Sequence, residues 1–128
     1  MQLISNPSTG QQGSATWNAG CTATEVVGDT VYIQSAGQVR QAQADALATS
    51  RVVGVISSKT SDTACVVAST GTVTIAGLTA GKVHYLSEDT PGAVSDSEPP
   101  AGNYAVMVGT ASAASALVVE IGEPEYKS

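Results

Sequence analysis

A chain of 128 residues, 42% of them hydrophobic, can bury one proper core but not two, so it is read as a single domain. The net charge of −6 and only five scattered cations (Arg40, Arg51, Lys59, Lys82, Lys127) exclude a nucleic-acid-binding face, which needs clustered Lys and Arg. Charged residues reach only 12%, against roughly 25% in ordinary soluble domains.

Aromatics are 4% and Phe is absent, so the core must be built largely from Val and Ala. Such side chains give less burial energy than the ~1.5–3 kcal/mol of a large one, and association with further copies is the expected remedy. The start, Met1 to Pro7, lacks the basic and long apolar regions of a signal peptide. No stretch approaches the roughly 18 apolar residues of a membrane helix. Synthesis in a reducing cytoplasm and no membrane partner are therefore expected. Cys21 and Cys65 form no CxxC and are read as reduced, partly buried thiols; spacing alone leaves a disulfide open.

Residues 1–24 are polar, rich in Gln, Ser, Thr, Asn and Gly, and are read as an N-terminal arm. Leu3, Ile4, Asn6 and Trp17 are its candidate partner contacts, since apolar anchors on a polar arm, Trp above all, suit interfaces. The competing reading folds Trp17 onto the body. Residues 25–121 are the domain proper. Val26-Val27 is a short β-type run ending at the turn signal Gly28-Asp29. Thr30–Gln34 and Gln38–Gln41 form a predicted hairpin about Ser35-Ala36-Gly37. Gln41–Ser50 is the one helix-like stretch, expected to give a single turn or an irregular crossover.

Arg51–Ser57 reads as a buried strand in which Gly54 marks a bulge or a close backbone approach. Strands are predicted at Ala64–Ala68, Gly71–Ile75, Lys82–Leu86, Ala93–Ser95, Tyr104–Thr110 and Ala116–Ile121. Gly77–Gly81, Thr90-Pro91-Gly92 and Pro99–Gly102 separate them. The tail, 122–128, is polar and expected to be loose. Many short strands between Gly, Pro and Ser-Thr turns predict an all-β fold. It would be a compact β-sandwich or β-barrel of short antiparallel strands, jelly-roll-like arrangements included.

The parts that chemistry needs are few. His84 is the only imidazole, no GxSxG elbow is present, and His84 is read as a surface or subunit-contact residue. The acidic pairs Glu88-Asp89 and Asp96 with Glu98 fall in polar turns and are read as solvated loops; neither a glycosidase pair nor a calcium loop is supported by their setting. Two distant cysteines and one histidine are too few for a zinc site, and no phosphate-binding glycine motif occurs. The expectation is a protein without catalytic residues, cofactor or metal, acting through its surfaces.

The second half carries a layout of its own. Gly77-Leu78-Thr79-Ala80-Gly81 leads into His84-Tyr85-Leu86-Ser87, then Thr90-Pro91-Gly92-Ala93-Val94, Pro99-Pro100-Ala101-Gly102-Asn103-Tyr104, and Val108-Gly109-Thr110-Ala111. This layout, with Gly28–Tyr32 and Val53–Ile56 upstream, resembles a small β module of tailed-bacteriophage virion proteins, found in capsid decoration (cement) proteins and in tail-fibre and appendage proteins. The resemblance covers roughly residues 25–121, and His84-Tyr85 stands where the module usually has Tyr-Tyr. It implies a virion structural protein made in the host cytoplasm, and transfers turns and strands more securely than a role. One module with an arm, and no repeats or coiled-coil shaft, favours a decoration protein. Such a protein would bind the outside of the major capsid protein shell as a homo-oligomer, commonly a trimer. A tail-fibre or appendage module binding a host receptor or glycan is the alternative.

Overall fold

The computed structural model describes residues 15–128. Within them the chain is all-β, as its turn-punctuated sequence predicts. Five strands close a small barrel: β1 (Thr16–Gly20), β2 (Thr30–Ser35), β3 (Gln38–Gln41), β4 (Gly54–Ser61) and β5 (Ala64–Ala68), in the order β1-β3-β2-β4-β5. A second, five-stranded sheet has the order β6-β11-β10-β7-β8, from β6 (Thr70–Thr74), β7 (Val83–Leu86), β8 (Val94–Ser95), β10 (Met107–Ala113) and β11 (Ala116–Glu120). A two-stranded ladder joins β9 (Tyr104–Ala105) to β12 (Glu125–Tyr126). The single helical turn α1 (Leu47–Ser50) lies inside the stretch expected to hold one.

The β2–β3 hairpin forms where its β-branched residues and Gly37 place it, and Gly37 takes the left-handed φ of 72° that its turn requires. The strand predicted at Arg51–Ser57 begins later, at Gly54, and runs on to Ser61. Gly54 is a close approach: a Cβ there would stand 2.5 Å from the Ala68 carbonyl oxygen. Val26-Val27 is not a strand but an exposed loop, because Gly28 turns the chain at φ 95° and the buried Glu25 ties down the other end.

Two further expectations change. Within the arm expected at 1–24, residues 1–14 lie outside the described residues, whereas Thr16–Gly20 is a barrel strand paired along its whole length with Ala64–Ala68, and Cys21 joins the barrel core. The tail 122–128 is not loose. Gly122 N–H donates to the Met107 carbonyl, Lys127 N–H to Asn103, and Gly102 N–H to Lys127, while Tyr104 and Tyr126 meet edge-on at 5.3 Å. A polar segment gains backbone partners this way without an apolar face.

The core has two parts. Ala19, Cys21, Val31, Val39, Ile56, Cys65 and Val67 fill the barrel. A second cluster brings Val55 and Ala68 of the barrel, with Val52 just before β4, against Val73, Leu86, Val108, Leu117 and Val119 of the second sheet and Val106 just before β10. The leucines there are the large side chains that a Phe-free chain uses, worth roughly 1.5–3 kcal/mol each on burial. No helix among the described residues is long and apolar enough to cross a membrane.

Candidate functional surface

His84 is the residue on which any nucleophilic chemistry would depend. It is 2% exposed, so the expected surface histidine is an inward one: β7 pairs with β10 so that His84 and Leu86 face the interior. Thr79 N–H donates to Nε2 at 3.2 Å, and Nδ1 lies 3.0 Å from the Lys82 carbonyl, which only accepts. These partners place a proton on Nδ1 and leave neither nitrogen open. The nearby Thr79 hydroxyl donates instead to Asp96 Oδ2 at 2.8 Å. That bond, and the charge of Lys82, hold the Asp96 carboxyl below the usual carboxylate range. The cluster therefore pins the Gly77–Gly81 loop onto β7 and offers no hydroxyl to the imidazole.

The other acids are similarly engaged. Ser87 and Thr90 hydroxyls donate to Asp89 Oδ1 at 2.8 and 3.1 Å and lower its pKa. Glu98 pairs with Lys127 at 2.7 Å on the surface. Among the described residues no three of His, Cys, Asp and Glu are grouped to hold a metal ion.

Sequence reading missed the most enclosed charges, at the end of the barrel. Thr22 donates to Glu25 Oε1 through both its N–H (2.8 Å) and its hydroxyl (2.6 Å), and the Glu25 N–H returns to the Thr22 carbonyl at 3.2 Å. The Lys59 ammonium reaches from β4 to the carbonyls of Thr22 (2.8 Å), Glu25 (2.6 Å) and Asp62 (3.3 Å). Nothing local in the sequence reveals that clasp. Asp29 Oδ2 accepts from Val26 N–H and from Gln41, yet burial outweighs both bonds and raises its pKa.

Of the candidate contacts, Leu3, Ile4 and Asn6 lie outside the described residues. Trp17 sits on β1, half-buried against the barrel core, with its indole N–H donating to Ser69 Oγ at 3.2 Å. It belongs to the body, on the strand into which residues 1–14 lead. That strand is bound unequally. On one side every residue of β1 pairs with β5; on the other a single parallel pairing, Gly20 with Gln38, meets β3.

Among its strand residues, the outward side of the second sheet carries a single carboxylate, Glu120, opposite Thr70. Thr72, Val118, Thr110 and Val83 stand in one register row across β6, β11, β10 and β7. Thr70 and Thr74 extend it along β6, and Val118 is 42% exposed. Two shallow hollows, of about 260 and 500 Å³, open on the surface: the first beside Val27, Asp29 and Ile75, the second, at the β7–β10 end of the same sheet, beside Tyr85, Met107 and the carboxylates Glu98, Glu123 and Glu125. Neither has an imidazole, thiol or cation in its lining. Compared with known proteins, the chain matches no family model and no curated protein.

Proposed function

We propose that this chain is a capsid decoration protein: a virion structural protein that binds the outside of an assembled phage capsid as an oligomer and stabilises the shell. The observation that carries the reading is a compact all-β body whose one wide outward sheet face is a row of Thr and Val with a single carboxylate among its strand residues. Such a face suits a protein packed against neighbours. The His84 imidazole and the Asp89 and Asp96 carboxylates are committed to intramolecular partners, which supports a surface role over a catalytic one. Binding only the assembled shell stabilises that state by mass action, and repeated identical contacts add through multivalency.

The test is electron microscopy of native particles, with a binding assay on expanded shells stripped of the chain. Density for the chain on the shell, and its co-sedimentation with shells as an oligomer, are expected. Density on the tail would move the reading to an appendage module, and absence from the particle would overturn it. Residues 1–14 are the segment to delete in that assay: removal is expected to weaken shell binding and leave the thermal midpoint unchanged. A deletion to residue 20 would instead remove a barrel strand.

A further inference from the structure

The two cysteines are 44 positions apart in sequence and neighbours in the barrel. Ala19 stands opposite Cys65, and Cys21 N–H donates to the Thr63 carbonyl at 3.1 Å, so the β1–β5 ladder continues one step past Gly20 and sets the two cysteines diagonally across it. Alternate residues of paired strands share a face, which puts both thiols on the inward side. Both are free, both are buried, and both belong to the same apolar cluster. The Cys21 thiol donates to the Asp62 carbonyl at 3.7 Å, and the Lys59 ammonium closes over that same carbonyl.

We propose that Cys21 and Cys65 form a redox latch, a cross-strand disulfide made from the folded dithiol by a hydroperoxide-class oxidant. The position gives the bond its purpose. β1 is held on the β3 side by one pairing only, and residues 1–14 lead straight into it. A pull on that segment would peel β1 from Thr16 towards Gly20. A bond at Cys21 stops the peeling at the last rung and spares the β2–β3 hairpin. It also closes a loop through β2, β3 and β4, which restricts the unfolded chain. The latch stands independently of the decoration role.

The chemistry balances with hydrogen peroxide. The Cys21 sulfur attacks one peroxide oxygen, and its proton passes to the departing oxygen. The O–O bond breaks and hydroxide leaves, taking up that proton as water. The sulfenic acid left on Cys21 is then displaced by the Cys65 sulfur. The S–S bond forms and a second water leaves with the Cys65 proton. Two thiols lose two electrons and one peroxide gains them. Burial, and then the hydrogen bond with Cys21, push the Cys65 thiol up to about 11, which keeps it protonated at neutral pH and suits it to the second step.

The experiment treats the folded full chain with hydrogen peroxide, alkylates in denaturant, and reads intact mass, a non-reducing peptide map and the urea midpoint. Loss of two hydrogens, a Cys21–Cys65 peptide, and a raised midpoint that dithiothreitol reverses are expected. Cys21→Ser and Cys65→Ala chains should show no intramolecular link. The unsubstituted protein decides the matter even if neither variant folds. Thiols left unreacted, oxygen added without a link, chains joined to one another, or a link that lowers the midpoint would each overturn the latch.

Discussion

In the cluster between the barrel and the second sheet, Leu86 and Leu117 sit fully enclosed among Val106, Val108 and Val119. In the barrel itself the largest buried side chain is Ile56, and Ala19, Cys21 and Cys65 fill much of the rest. The barrel compensates with charge, through Lys59 over three carbonyls and the enclosed Glu25. The sheet has its own polar pin, His84 with Thr79 and Asp96, but that pin fastens a loop and not the core. A Phe-free chain has thus made one region from aliphatic bulk and the other from small side chains closed by a half-buried cation.

The largest effect that separates them is a core truncation. Leu117→Ala is expected to cost near the top of the ~2–5 kcal/mol range for such changes, because strands on both sides hold the cavity open. Ile56→Ala is expected near the bottom, since β1 meets β3 at one position and the barrel can close in. Urea unfolding of both variants measures the difference; equal losses would mean that the two cores are equally rigid.

Next in size is the clasp. Lys59→Met keeps the aliphatic stem and removes the ammonium, leaving the Glu25 carbonyl without a donor, while Thr22 keeps the Glu25 N–H and Asp62 the Cys21 thiol. The expected cost is about 1–3 kcal/mol, read from the same unfolding curves. Hydrogen exchange should show the loss confined to the barrel, with β10 and β11 protected as before. Uniform loss of protection would mean that the two regions unfold as one.

How much of this was legible beforehand divides along the same line. The hairpin, β5, β6 and β11 could be read because alternation and turn residues are local signals. Strand β1 could not, because Thr-Trp-Asn-Ala-Gly shows no lasting alternation and its pairing with β5 lies about fifty residues away. The ladder at Glu125-Tyr126 was hidden for a related reason: it is held by backbone bonds on a polar segment. His84 was misplaced because period-2 reading gives two faces but not which one is inward. The thiol pair and the Lys59 clasp depend on strand order, which no single-sequence pattern carries.

The smallest expected effects concern two carboxylates whose settings have opposite sign. Burial raises the folded pKa of Asp29, beside the barrel, above the unfolded value of about 3.9. Its ionisation therefore subtracts stability at neutral pH, and the penalty lifts as pH falls through the raised folded value. The Thr79 hydroxyl and then Lys82 lower the folded pKa of Asp96, beside the sheet. Its contribution is present above about 3.9 and is lost as pH falls through the lowered folded value. Relative to Asp29→Asn, the natural chain should gain stability on acidification from neutral pH towards about 4. Relative to Asp96→Asn, it should start ahead and lose that lead below about 4. Urea midpoints of the three proteins across this pH range test both slopes. If the two differences moved in the same direction, desolvation would not be what sets Asp29 apart, and the contrast between an enclosed barrel carboxylate and an exposed, bonded sheet carboxylate would fail.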